Sequence, residues 1–241
     1  MPNATIFGNS MSNTTLPAWE KVLSAAAHLQ CILPEAILVG GTASAIYAGH
    51  RLSIATDHVL SDLRQRFDTV LADLESVAGW TTARVQRPVQ ILGSLDGIET
   101  GVRQLTRETP LETEQMAWGN SFITIPIQVE ILRIKGELIV KRNTTRDHLD
   151  FAALADHMHA DQVVEALKNF DQLYPQPNGA SSLQQLQIQL ANPLPYDLEG
   201  VSLKEYKNLS ASWHDWHRVR AVCTRCAILI FDRIMTQQDI A

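Results

Sequence analysis

Residues 37–60 read ILVGGTASAIYAGHRLSIATDHVL, and the reading of the rest of the chain follows from this stretch. Ile37, Leu38 and Val39 form a short apolar run of the kind that becomes a buried strand. Gly40-Gly41-Thr42 follows as a tight turn, because glycine permits close backbone approach and unusual φ values. An Ala-rich segment then predicts a short helix, and the residues up to Leu60 predict a second strand. A turn that opens a helix aims free N–H groups outward, and such an arrangement cradles phosphate. Side chains alternate along a strand, so Ser53, Ala55 and Asp57 share one face.

This run resembles the signature of the nucleotidyltransferase superfamily, in which a Gly-Gly-Ser/Thr turn precedes an Asp-x-Asp pair on a strand. More narrowly, Gly-Gly-Thr, then His50-Arg51-x-Ser53, then the acidic position resembles the AbiEii-type toxin nucleotidyltransferases of bacterial toxin–antitoxin and abortive-infection systems. The chain departs from the pattern once. The first Asp of the pair is expected at position 55, where this chain has Ala55, and Asp57 alone remains. Nucleotidyl transfer moves an NMP from an NTP to an acceptor and releases pyrophosphate. Two Mg²⁺ (or Mn²⁺) ions stabilise the attacking and leaving oxygens, and carboxylates two apart on a strand can share them. The resemblance therefore implies that Asp57 is a metal ligand, and that Ala55 impairs or abolishes transfer while leaving the fold intact. Read without it, Gly-Gly-Thr is an ordinary turn and Asp57 a capping or surface acid.

A second anchor lies downstream. AbiEii-like toxins carry a Lys, an Arg seven residues on, and then Arg-Asp-x-x-Asp. These match Lys135, Arg142 and Arg146-Asp147-His148-Leu149-Asp150. The resemblance implies that Lys135 neutralises a triphosphate and that Arg142 grips phosphate oxygens. It also implies nucleotide contacts from Gly40, Gly41, Thr42, Arg51 and Ser53, and catalytic roles for Asp57, Lys135, Asp150 and Asp147. Asp150 would act as base on the acceptor hydroxyl or orient Lys135. The plainer alternatives are that Asp147 caps its helix and that Asp150 pairs with Arg146.

Between the anchors, Asp96-Gly97 marks a hairpin, and Ile123, Ile125, Ile127, Val129 and Ile131 alternate with period 2 as in a half-buried strand. Pro126 puts its early part at a sheet edge. Polymerase-like nucleotidyltransferases often carry a third carboxylate on a neighbouring strand. Glu130 is the candidate as a metal ligand, with Glu99 second; the alternative is a solvent-facing acid. Leu63, Phe67, Val70, Leu71, Leu74 and Val77 predict a helix, with Ser61 able to cap it and Gly79 stopping it. The stretch 107–115 is polar.

The chain has 241 residues with 45% hydrophobic content, enough for a sizeable core. Its net charge of −6 exerts no global pull on nucleic acid, so an RNA partner must meet a local basic patch. Three cysteines make no disulfide framework, and the lone Cys223-x-x-Cys226 reads as two small helix residues rather than a zinc site. The polar N-terminus lacks the pattern of a signal peptide, and no apolar run suits a membrane span; a cytoplasmic protein is expected. The terminal helix carries Trp213, Trp216, Arg218 and Arg220, which either stack on single-stranded nucleic acid or lock the helix to its domain.

The expected architecture is α+β: a polymerase-β-like nucleotidyltransferase core with a small mixed sheet, plus a helical C-terminal lobe. Its divisions are a tail over 1–16, the core over 17–132 and the lobe over 133–241. The resemblance implies an NTP substrate, an RNA acceptor (tRNA foremost), toxin action and a cognate antitoxin. Two rivals remain: a small-molecule nucleotidyltransferase, whose acceptor pocket should be acidic, and a non-catalytic nucleotide-binding relic.

Overall fold

The computed structural model describes residues 18–206 and 208–235. The expected tail, with the helix start near Pro17, lies outside them. Helix α1 (Ala18–Ile32) buries Val22, Leu23, Ala26 and Leu29 on one stripe. Strand β1 (Ile37–Val39), helix α2 (Gly40–Ala48) and strand β2 (Ala55–Leu60) give the expected strand–helix–strand unit. Its turn is tighter than expected. Gly40, Gly41 and Thr42 are already the first turn of α2, with Val39 at the N-cap and no side chain capping it. Gly40 has φ +72°, which lets the chain pass from strand into helix without an intervening loop.

Helix α3 (Phe67–Glu75) starts later than its apolar stripe suggested; Arg66, not Ser61, stands at its N-cap. Strands β3 (Trp80–Gln86), β4 (Gln90–Leu95) and β5 (Ile98–Gln104) form an antiparallel meander. Asp96 and Gly97 take φ of 52° and 78°, as a two-residue hairpin loop demands. Strand β1 pairs antiparallel with β2, and β2 pairs parallel with β5. The result is a mixed five-stranded sheet in the order β1-β2-β5-β4-β3. Strands β6 (Thr113–Trp118) and β7 (Ser121–Pro126) make a separate hairpin. β6 was not expected, because most of its residues are exposed and polar.

The period-2 reading of 123–131 needs correction. β7 stops at Pro126, and α4 (Gln128–Arg142) begins at once with Ile127 as N-cap. Proline cannot donate to a ladder, and Ile127 and Ile131, four apart, fit a helix face as well as a strand face. Glu130 therefore lies in the first turn of a helix, not on a strand.

Helices α5 (Thr145–Asp156), α6 (Ala160–Leu167), α7 (Phe170–Leu173), α8 (Ser182–Ala191) and α9 (Trp216–Ile230) complete the lobe. Ser181 caps α8, its hydroxyl accepting from the Gln184 N–H, and Asp215 caps α9 through the His217 N–H. Leu149, Phe151, Leu154, Phe170, Leu186 and Val219 form its core, which also takes in Ala43 and Ala48 of α2. Cys223 and Cys226 are buried there as small apolar residues. Trp213 is buried too, with the Arg218 guanidinium over its ring, so these residues lock the helix to the lobe.

One sheet face is sealed by α1 and α3: Leu60, Ile91, Leu95 and Val102 pack on Leu29, Phe67, Val70 and Leu74. On the other face, register sets Ala55 beside Glu99, Asp57 beside Gly101, and Val59 beside Arg103. α2 stands between this face and the helical lobe, which leaves a cleft above Asp57.

Candidate active site between sheet and helical lobe

Asp57 sits in the middle of β2 with its side chain 39% exposed. Two glycines make room for its carboxylate. A Cβ on Gly40 would come 3.0 Å from Asp57 Oδ2, and one on Gly101 would come 2.9 Å from Oδ1. Arg103 Nε lies 3.5 Å from Asp57 Oδ1. Ala55 opens the strand, and its carbonyl accepts hydrogen bonds from Thr42 Oγ1 at 2.6 Å and Ser53 Oγ at 3.2 Å. Those two hydroxyls, expected to bind nucleotide, instead fix the backbone where the family pattern has its first Asp.

Asp150 lines neither hollow of the cleft but holds two residues that do, Arg51 and Lys135. It is fully buried on α5 and receives His50 Nε2 at 2.8 Å and Arg51 through Nε at 2.8 Å and Nη2 at 3.0 Å. Lys135 Nζ stands 2.8 Å from its second oxygen. Burial alone would raise its pKa, but the charges of Lys135 and Arg51 outweigh burial and hold it well below the usual carboxylate range. A carboxylate so stabilised is a poor base; its geometry suits orienting Lys135 and Arg51. The alternative pairing with Arg146 is not formed. Arg51 lies against α2, where a Cβ on Gly41 would stand 2.1 Å from Nη2. Two of its nitrogens are committed to Asp150, so its first task is to tie the 50–55 loop to α5.

Asp147 is likewise buried and receives Arg142 through Nε at 2.6 Å and Nη2 at 2.7 Å, with Thr144 Oγ1 at 2.6 Å. Burial raises its pKa, but the Arg142 pairing prevails and lowers it. The expected catalytic role for Asp147 is thus replaced by a positioning one: it orients Arg142 at the rim. Glu130, expected as a metal ligand, is also corrected. It is fully buried, and Arg107 grips it at 2.7 and 2.9 Å, with Arg133 at 3.2 Å. It does not line the cleft; its partner Arg107 does. Glu99 lines the cleft, beside Ala55 on the sheet.

The cleft comprises two adjoining hollows of about 340 and 350 Å³, which share Gly41, Asp57, Arg103 and Arg146. The N-terminus of α2 and Lys135 open on the second. Arg84, Arg103, Arg107, Lys141, Arg142 and Arg146 line the pair, opposed among the lining residues by Asp57, Glu99 and Glu137. The chain is acidic overall, yet its cleft is basic. Arg146 was named in the sequence only within a motif and as a partner for Asp150; Arg84, Arg103 and Arg107 were not singled out and come together only through β3, β5 and the loop after it.

No family model matches the chain. Among solved structures it is similar to the nucleotidyltransferase toxin MenT4 of Mycobacterium tuberculosis, with a TM-score of 0.55, 12% identity, and coverage of 92% of this chain and 85% of that one. It is also similar to JHP933 of Helicobacter pylori, with a TM-score of 0.50, 16% identity, and coverage of 92% and 94%. The chain has the nucleotidyltransferase fold. Sequence relatives are of another kind. A stretch of 138 residues is 32% identical to the mycolic acid-containing lipids exporter MmpL11 of Mycolicibacterium smegmatis, covering 56% of this chain and 14% of that protein. A stretch of 129 residues is 33% identical to the heme uptake protein MmpL11 of M. tuberculosis, covering 52% of this chain and 13% of that protein. The chain thus spans about one seventh of those proteins. Among the described residues no helix is long and apolar enough to cross a membrane.

In this nucleotidyltransferase fold the donor set does not fit a two-ion site. Asp57 is the carboxylate present on its strand face, Arg103 stands beside it, and Ala55 offers no oxygen from its side chain. Among the described residues no cluster of three or more His, Cys, Asp or Glu is placed to hold a metal.

Proposed function

We propose that the chain binds a nucleoside triphosphate in this cleft, with phosphate oxygens on the first turn of α2 and beside Lys135. The observation that carries this is one hollow holding an uncapped helix N-terminus, a buried Lys135 oriented by Asp150, and Asp57 seated between Gly40 and Gly101. The acceptor is RNA, tRNA in the first instance. The basic lining supports this, since a small cationic acceptor would call for an acidic wall. In this reading the core spans 17–132 and the lobe 133–241 closes the cleft. Toxin action in the cytoplasm, with a cognate antitoxin, accords with the likeness to an AbiEii-type enzyme.

Ala55 leaves the chain as it stands able to bind nucleotide but impaired or inactive in transfer. The test is incubation of the native chain and an Ala55→Asp variant with each α-labelled NTP and total RNA, with Mg²⁺ or Mn²⁺ and with chelator. The expected outcome is no label on RNA from the native chain and metal-dependent label from the variant. Absence of transfer by the variant from all four NTPs sinks the enzyme reading and leaves a nucleotide-binding relic.

A further inference from the structure

Asp57 already faces a cation that the chain itself supplies. Arg103 stands on β5 two residues beyond Gly101, the neighbour of Asp57 in the parallel ladder. Gly101 has no side chain to part them; a Cβ there would stand 2.9 Å from Asp57 Oδ1 and 4.0 Å from Arg103 Nε. Arg103 Nε comes to 3.5 Å from Asp57 Oδ1. On its other flank Arg103 is paired with Gln90 of β4. With its amide oxygen turned to the guanidinium, Gln90 accepts from Arg103 Nη2 at 3.0 Å. The two neighbouring strands thus hold the guanidinium in place, yet its side chain stays 46% exposed and lines both hollows of the cleft. A divalent ion beside Asp57 would meet this fixed positive charge and one carboxylate on the strand. Glu99, the other acid lining the first hollow, stands beside Ala55 rather than beside Asp57.

Resting on the nucleotide reading above, we propose that Arg103 stands in for a metal ion beside Asp57, so that the chain takes free nucleoside triphosphate rather than its Mg²⁺ complex. Arginine keeps its charge at every working pH, and its planar fork suits phosphate oxygens. Arg103 donates to the triphosphate from the sheet side, while Lys135 and the first turn of α2 meet it from the other. Free triphosphate brings its whole negative charge to this basic lining. In the Mg²⁺ complex part of that charge is cancelled and some of the oxygens are already occupied. The disagreement between the donor set and a two-ion site thus becomes a preference for one form of the ligand. A guanidinium also does not clamp the attacking and leaving oxygens as a metal pair does, which accords with binding without transfer.

The test is calorimetric titration of the native chain and Arg103→Gln with ATP, GTP, CTP, UTP and inorganic tripolyphosphate, in EDTA and in excess Mg²⁺. For the NTP that the native chain binds most tightly, affinity in EDTA should exceed affinity in Mg²⁺ by about tenfold, the scale of one hydrogen bond to a charged group. Arg103→Gln should lose about tenfold in EDTA and keep less of the preference. Its urea midpoint, expected to match the native one because the side chain is half-exposed, separates a lost contact from a lost fold. Equal or tighter native binding in Mg²⁺ overturns the inference and returns Asp57, with Glu99, to metal binding. So does an unchanged EDTA affinity in a folded Arg103→Gln chain. If that variant does not fold, the comparison on the native chain decides alone. If an NTP binds equally with and without Mg²⁺, the stand-in role has failed and the nucleotide reading survives. If neither tripolyphosphate nor any NTP binds in either condition, the nucleotide reading has failed and this inference falls with it.

Discussion

Gly40 and Gly41 are neighbours that require glycine for different reasons. Gly40 holds a left-handed φ and leaves Asp57 its room. Gly41 has no such φ; its missing Cβ is the space occupied by the Arg51 guanidinium. Gly41→Ala should push Arg51 off Asp150 and cost roughly 2–4 kcal/mol, because a buried charge loses a partner. Urea unfolding measures it, and a loss within error of zero would show that Arg51 can move freely. His58 gives a second prediction at this scale. It is fully buried with neither ring nitrogen hydrogen-bonded, and burial lowers its pKa to about 3. Below about pH 6.5 the unfolded chain takes up a proton that the folded chain refuses, so stability falls as pH drops from there toward about 3. The slope is roughly 1.4 kcal/mol per pH unit. His58→Leu should therefore match or exceed the native chain near neutrality and lose roughly 2 kcal/mol less between about pH 6.5 and about pH 5. His148, lowered to about 4 by burial, keeps a like slope in both proteins. Parallel pH profiles would remove His58 as the cause.

Among the elements, α5 shares an apolar core with α4 and is joined to α4 and to the 50–55 loop by Asp150 as well. His50, Arg51 and Lys135 converge on it from two segments. Removing one member of a buried ionic cluster leaves the others uncompensated, at about 3–5 kcal/mol. Asp150→Asn should fall in that range by urea unfolding and should also weaken NTP binding by freeing Lys135. Loss of stability with NTP affinity intact would separate Lys135 from the phosphate site. The same scale shows where sequence periodicity misled. Ile123 to Ile131 satisfies two periods at once. Pro126 lies on an edge strand as read, in the two-stranded hairpin, but it also ends that strand just before α4 begins. β6 was hidden because an exposed hairpin strand has little need of apolar residues.

Across the whole molecule, a net charge of −6 coexists with a basic cleft. Binding of RNA there should weaken steeply with salt, and each phosphate contact removed should lower the log–log slope by about 1. Arg146 lines both hollows. Arg146→Ala should therefore reduce RNA affinity and flatten the slope, read by filter binding across a salt series. An unchanged slope would place the RNA path elsewhere.

Residues 37–60 alone determined the strand–helix–strand unit and the face shared by Ala55 and Asp57, because these depend on local backbone geometry and on alternation with period 2; the carboxylate expected at position 55 was implied by the resemblance alone. The Asp96-Gly97 hairpin and the capped, amphipathic helices were legible for the same reason. The fates of the acids were not. Asp150 and Asp147 differ little in sequence context, yet one gathers three basic side chains from 50, 51 and 135, while the other aligns Arg142. Glu130 and Glu137 sit on one helix, yet one is sealed by Arg107 away from the cleft and the other lines it, paired with Lys141. Charge pairing over long sequence separations is decided by which faces the packing brings together, and that only the tertiary structure supplies.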